Sequence, residues 1–210
     1  MRLVRLGLAS LNTTVGAVDD NTALIIDAAR ALAAQDATLI AFPEQVIGGY
    51  PPEDLLLWPG FVKAQEQALV RIAQATAELS SVIVLGTLCA TMDSVYNCAA
   101  LLHRGRVLGL VPKEKLPLYN VFYEARTLAR GFPGLLSRVQ LPDHEPVPFG
   151  LLAVSAETDV REQEHREHGP GAFDEACLVR RCRALVVREP LEVLCELADS
   201  ERADGERRRA

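Results

Sequence analysis

Long hydrophobic runs are missing from this sequence of 210 residues, and so is any excess of positive charge. No stretch of about 18 consecutive apolar residues occurs, so we expect no membrane-spanning segment. The formal net charge is -6, which argues against a nucleic-acid partner because such proteins usually present a basic surface. Residues 1–12 alternate apolar and polar side chains and lack a cleavage pattern, so we predict no signal peptide and a cytoplasmic location.

Cysteine is scarce, and its positions form no CxxC pair and have no histidine cluster nearby. A zinc site is therefore not expected, and we predict no bound metal. In a cytoplasmic protein the thiols should be reduced. Cys89 and Cys98 lie in apolar segments and are expected to be small core residues. The positions are Cys89, Cys98, Cys177, Cys182 and Cys195.

Apolar and charged residues occur in ordinary proportions, 49% and 24%, as in a globular domain with a sizeable core. Apolar residues recur at helical spacing in two segments, and the short apolar runs between them are typical of buried strands. Gly105 indicates a hairpin turn between two further strands. Strands that alternate with helices indicate an α/β layered fold. The predicted order is strand 3–11, a helix with cap candidates at 19–22 that ends near 34, strand 37–42, helix 60–78, strand 81–88, and hairpin strands 95–102 and 106–111.

Two charged residues stand where predicted strands end. Glu44 follows the strand 37–42, and Lys113 follows the hairpin strand 106–111. Such strand ends line the ligand crevices of open α/β sheets. A carboxylate there suits general-base chemistry, and a fixed ammonium suits stabilisation of an oxyanion. Taken singly, each is better explained as an ordinary exposed side chain, so the surrounding motifs decide the interpretation.

Several short motifs occur in order between residues 42 and 124. In this order and at this spacing they resemble the nitrilase (carbon–nitrogen hydrolase) superfamily over about residues 3–134, and within it most closely the glutaminase domain of glutamine-dependent NAD synthetase. The resemblance implies a four-layer αββα sandwich built from two similar halves. The motifs are Phe42-Pro43-Glu44, Gly49-Tyr50-Pro51-Pro52-Glu53-Asp54-Leu55-Leu56, Tyr96-Asn97-Cys98-Ala99, Lys113-Glu114-Lys115-Leu116-Pro117-Leu118-Tyr119 and Phe122-Tyr123-Glu124.

The resemblance also implies roles for particular residues. Glu44 matches the family's general base, Lys113 its oxyanion-stabilising lysine, and Glu124 a second glutamate that supports the lysine. Tyr50 and Tyr119 match positions near the pocket for the small-molecule amide, glutamine. The amidase part of this family needs no cofactor, and ATP serves only a separate synthetase domain that would use the ammonia.

Residues 151–210 differ in composition from the first 150. They contain no Lys, Ile, Tyr, Trp or Asn, while Arg is abundant. One interpretation is a helical or disordered appendage, as charge-dense segments often are. The other is that the coding frame was lost near residue 150. Either way, we expect an incomplete nitrilase-like domain over 1–150, a partial αββα sandwich, followed by a divergent tail. A homo-oligomer or a synthetase domain is the expected partner.

The family's cysteine nucleophile is not found where the resemblance places it. A Cys-Glu-Asp motif is expected after Pro148-Phe149-Gly150, near Pro170, and none occurs there. The stretch 156–159 imitates the motif with Ala in place of Cys, and Cys195-Glu196 imitates it too far along the chain. The nucleophile is therefore unknown, and Cys195 is an imperfect candidate because it lacks the Asp and aromatic residue of the motif. We expect glutamine hydrolysis for NAD synthesis to be impaired; the alternatives are a non-catalytic binding module or another nitrilase-family amidase.

Overall fold

The computed structural model describes residues 4–119 and 122–151 of the chain. Within these ranges, two α-helices and two short 3-10 helices alternate with strands that join one sheet. No helix among the described residues is long and apolar enough to cross a membrane. The predicted tail from residue 152 onward lies outside the described residues. The elements are β1 (Leu6–Leu8), α1 (Val18–Ala33), β2 (Leu39–Ala41), a 3-10 helix (Glu53–Leu57), α2 (Pro59–Ala75), β3 (Val82–Ala90), β4 (Val95–His103), β5 (Arg106–Pro112), a 3-10 helix (Glu124–Arg126), β6 (Leu136–Val139) and β7 (Val147–Gly150).

The strands form a mixed sheet in the order β1-β2-β3-β4-β5-β7-β6. β1, β2 and β3 are parallel, because α1 and then the segment containing α2 return the chain to the same edge before each new strand. β3, β4 and β5 are antiparallel, as expected for the tight turn at Gly105 between β4 and β5. β7 joins β5 in parallel, and β6 pairs with β7. The ends of β2 and β5, which precede Glu44 and Lys113, are thus separated by two strands.

The core lies between the sheet and the two helices, which pack against each other. α2 presents a stripe of buried residues at helical spacing, including Leu69 and Ile72, and α1 contributes Ile25. They meet alternate residues of β3, among them Ile83 and Leu85. Full burial of each such side chain contributes roughly 1.5–3 kcal/mol to folding. The α/β class predicted from the alternation of helices and strands is confirmed.

Several local predictions were wrong in detail. α1 begins at Val18, before the predicted caps, and Asp19 lies in its first turn, where a carboxylate favours the helix dipole. Asn21 is not a cap: its buried amide bonds to both backbone groups of Thr14 and to the carbonyl of Ile47. α2 ends earlier than predicted because the chain turns at Thr76, whose hydroxyl donates to the carbonyl of Ile72 at 2.8 Å. Cys89 and Cys98 are buried, as predicted.

Candidate active site

Glu44 lies where the chain leaves β2 and crosses over β3. The backbone just before it is held to β3 by two hydrogen bonds, from Phe42 N–H to the carbonyl of Val84 (2.9 Å) and from Gly86 N–H to the carbonyl of Pro43 (3.2 Å). At Gly86 the approach is so close that a Cβ would lie 2.2 Å from the nitrogen of Gln45 and 2.6 Å from the Cα of Glu44. A glycine in the middle of β3 therefore makes room for the residue that carries the carboxylate.

Lys113 follows β5 directly, and its backbone is held on two sides. Its N–H donates to the carbonyl of Asn97 on β4, and its carbonyl accepts from the N–H of Gly131, each at 2.8 Å. The first bond continues the β4–β5 ladder past its last pair, Cys98 with Pro112. The position of the lysine is thus set by the sheet and not by a free loop.

The two predicted residues meet at a three-residue ion cluster. Lys113 Nζ lies 2.8 Å from Glu44 Oε1 and 2.9 Å from Glu124 Oε2. Glu124 begins the 3-10 helix Glu124–Arg126, and its side chain is only 7% exposed, whereas that of Glu44 is 45% exposed. One carboxylate is therefore held inside the protein behind the ammonium, and the other is accessible from solvent.

The cluster keeps the lysine charged. Burial of the Lys113 ammonium by itself lowers its pKa, but hydrogen bonds and charge attraction from Glu44 and Glu124 outweigh burial, so that the pKa of Lys113 is raised. The side chain is a permanent cation at neutral pH. It can stabilise a developing negative oxygen but does not suit general-base work.

The two predicted substrate-binding tyrosines lie beside this cluster, and the ring of a phenylalanine lies between them. The Tyr50 hydroxyl donates to Glu124 Oε1 at 3.2 Å. The ring of Phe122 lies 6.4 Å from that of Tyr50 and 5.4 Å from that of Tyr119, centroid to centroid. Tyr119 is largely exposed. The structure therefore places an aromatic row next to the charged groups, with Tyr50 at the inner end.

Tyr50 provides a prediction about alkaline stability. Burial, then the charge of Glu124 and the hydrogen bond to it, raise the pKa of Tyr50 from an ordinary 10.0 to about 12. Because the folded chain holds this proton more tightly than the unfolded chain, the stabilisation is fully present below pH 10.0 and is lost as the pH rises through about 12. We expect Tyr50→Phe to reduce the decline in the free energy of unfolding over this range, measured by urea titration. Tyr123→Phe, at an exposed ring, is the control and should keep the wild-type decline.

The sequence prediction missed two residues of the site. Asn97, on β4, donates its side-chain amide to Glu44 Oε1 and is 2% exposed. Gly86 supplies the space described above. An asparagine in a mostly apolar predicted strand is the signal that could have identified the first, since Asn97 belongs to one of the quoted motifs but was given no role there. The second needs the strand register, which the sequence alone does not show.

The candidate nucleophile Cys195 lies outside the described residues, as do Cys177 and Cys182. Of the cysteines that are described, Cys98 is unsuited to attack because burial raises the pKa of its thiol well above the usual range. No group of three His, Cys, Asp or Glu side chains in the described part of the chain could hold a metal ion.

Comparison with known proteins identifies the class. The family model described as carbon-nitrogen hydrolase matches residues 5–134, a span that contains Glu44, Lys113 and Glu124. The chain belongs to the carbon–nitrogen hydrolase family.

Relatives within the family include glutamine-dependent NAD(+) synthetases. That of Mycobacterium tuberculosis is 41% identical over 128 residues, which are 61% of this chain and 19% of that protein. That of Aquifex aeolicus is 39% identical over 137 residues, 65% of this chain and 24% of that protein. The chain thus matches about a fifth to a quarter of the length of these relatives.

Solved structures of related proteins have a similar fold. A glutamine-dependent NAD(+) synthetase from Cytophaga hutchinsonii superposes with a TM-score of 0.65 at 26% identity, covering 70% of this chain and 25% of that one. An amidase from Nesterenkonia sp. superposes with a TM-score of 0.53 at 23% identity, covering 65% of this chain and 51% of that one. The nitrilase-like fold expected from the sequence is confirmed.

Proposed function

We propose that this domain hydrolyses the side-chain amide of glutamine, at a reduced rate because no cysteine stands at the expected position, and that the ammonia released is used for NAD synthesis. The observation that carries the proposal is the position of Lys113, whose ammonium bridges the exposed carboxylate of Glu44 and the buried carboxylate of Glu124. The relatives named above are glutamine-dependent NAD(+) synthetases, which supports glutamine as the amide donor.

In the proposed reaction a cysteine thiol attacks the amide carbon. Glu44 takes the thiol proton, and the Lys113 ammonium stabilises the negative oxygen of the tetrahedral intermediate. The proton is passed to the leaving nitrogen, the carbon–nitrogen bond breaks, and ammonia departs to leave a thioester. Glu44 then deprotonates a water that hydrolyses the thioester, which gives glutamate and restores the thiol.

The neighbouring groups have supporting roles in this proposal. Glu124, with little exposure and a second bond from Tyr50, balances the lysine charge and holds the ammonium in place. The aromatic row Tyr50, Phe122 and Tyr119 forms the wall against which the aliphatic part of the substrate packs. A synthetase domain, on this or another chain, is the expected partner and the site of ATP use.

A second function is favoured by one sequence observation. No Cys-Glu-Asp motif follows Pro148-Phe149-Gly150, so the pocket could hold glutamine without turnover, as a binding module. Cys195 is the nucleophile in the catalytic proposal, and its removal separates the two functions.

The test is ammonia release from glutamine by the full chain, with asparagine and an aliphatic nitrile as competing substrates and calorimetry for binding. The proposal predicts ammonia from glutamine in preference to the others, and loss of release in Cys195→Ala. Glutamine binding without ammonia would establish the binding module in its place. Preference for another amide or for the nitrile would overturn glutamine as the substrate.

A further inference from the structure

Glu44 has two carboxylate oxygens, and the protein engages them unequally. Oε1 accepts from Lys113 Nζ at 2.8 Å and also from the side-chain amide of Asn97. Among residues 4–119 and 122–151, the hydrogen bonds that the structure shows to this carboxylate all go to Oε1, and none goes to Oε2. A carboxylate that is fixed through one oxygen presents the other to an incoming proton.

Asn97 is placed to set this arrangement because β4 lies between β3, which supports the Glu44 backbone, and β5, which precedes Lys113. Its side chain reaches Glu44, and its backbone carbonyl accepts from the N–H of Lys113 at 2.8 Å. A single residue thus contacts both charged partners. Asn97 is 2% exposed, and a buried amide is costly unless it is hydrogen-bonded, which favours one fixed orientation of the side chain.

We infer that Asn97 is a positioning residue for the proposed hydrolysis, one that occupies Oε1 of Glu44 so that Oε2 accepts the thiol proton. The Glu44 side chain is 45% exposed and would otherwise be free to leave the productive orientation. The Lys113 ammonium is a compact point charge, so by itself it sets the distance to the Glu44 carboxylate but not the orientation of that group. The hydrogen bond from the Asn97 amide adds a second contact from a different direction, which fixes the orientation. The inference rests on the proposed function for its chemistry, but the orientation of Glu44 is testable without turnover.

The test compares three full-length variants with the wild type. Asn97→Leu removes the donor at similar volume, and we expect kcat for glutamine to fall by about 10²-fold with KM changed less than about threefold, since misplacement near 1 Å has effects of this size.

Asn97→Asp keeps the shape of the side chain but adds a carboxylate to a cluster that holds Glu44, Glu124 and Tyr50 around one lysine. Its kcat, relative to wild type at the same pH, should be lowest at alkaline pH and should recover as the pH falls and the new acid can donate. Ser81→Ala, the control, removes a buried hydrogen bond at the other end of β3 and should keep kcat.

Crystal structures of the same variants give the second readout. In Asn97→Leu we expect the Glu44 carboxylate in more than one orientation, while the Lys113–Glu124 contact persists. An unchanged Glu44 together with wild-type kcat would overturn the inference, as would a kcat loss no greater than that of Ser81→Ala. If Asn97→Leu does not fold, the pH dependence of kcat in Asn97→Asp tests the inference instead, and a ratio to wild type that does not change with pH would overturn it. If the wild type releases no ammonia, the proposed function fails, and the orientation of Glu44 in the variant structures decides the role of Asn97 by itself.

Discussion

Replacing Lys113 with methionine is expected to lower the free energy of unfolding by roughly 2–4 kcal/mol and to slow glutamine hydrolysis by about 10²–10³-fold. The stability loss follows from Glu124, whose side chain is 7% exposed and would be left beside Glu44 without a cation. Removing the ammonium leaves the buried Glu124 carboxylate with the hydrogen bond from Tyr50 but with no positive charge to compensate it. The rate loss follows from the missing positive charge at the developing oxyanion.

Urea unfolding, followed by circular dichroism, measures the first effect. Lys63→Met is the matched control because Lys63 is an exposed lysine on α2, and its replacement should change the free energy of unfolding by less than about 0.5 kcal/mol. Glu124→Gln in the Lys113→Met background should recover part of the loss by removing the unpaired charge. A loss in Lys113→Met no larger than that in Lys63→Met would show that the ion cluster does not stabilise the fold.

Gly86→Ala is expected to damage both the fold and the site. The new Cβ would lie 2.2 Å from the nitrogen of Gln45 and 2.6 Å from the Cα of Glu44, and both are backbone atoms that cannot rotate away. The chain at Glu44 must therefore move off β3. We expect a loss of roughly 1–3 kcal/mol in unfolding free energy, typical of overpacking, and a drop of about 10²-fold in ammonia release from displacement of the carboxylate.

Gly60→Ala is the control for this substitution. Gly60 lies in the first turn of α2 with nothing within 4 Å of the added Cβ, so the change should be neutral or should stabilise by up to about 1 kcal/mol. A crystal structure of Gly86→Ala with Glu44 still 2.8 Å from Lys113 would contradict the role given to this glycine.

The two helices and the ends of the strands that precede Glu44 and Lys113 could be predicted from the sequence because each depends on the local spacing of apolar residues. The apolar spacing of α2 is visible without knowledge of its neighbours, and Glu44 and Lys113 each follow a readable strand. That they act in one site followed only from the family resemblance, which gives them roles in the same reaction, since 69 positions separate them in the chain. The structure adds the reason: β2 and β5 bring them to the same region across β3 and β4.

The rest of the site depends on pairings that sequence spacing does not reveal. Asn97 faces Glu44 only because of the β3–β4–β5 register, and the clash that makes Gly86 necessary arises from a crossing chain. β7 was not predicted as a strand because it is short and contains a proline; it is held by a parallel pairing with β5, Leu110 opposite Phe149, 39 positions along the chain. Such long-range contacts form from the tertiary fold and not from local propensity.

The most direct test of the account is the rate of ammonia release from glutamine by the full chain and by its Glu44→Gln variant, both shown to be folded by circular dichroism. The substitution keeps the size of the side chain and removes the ability to accept a proton. The account predicts release by the wild type and a rate about 10²–10⁴-fold lower in the variant. Equal rates in the two proteins, or no ammonia from either, would contradict it.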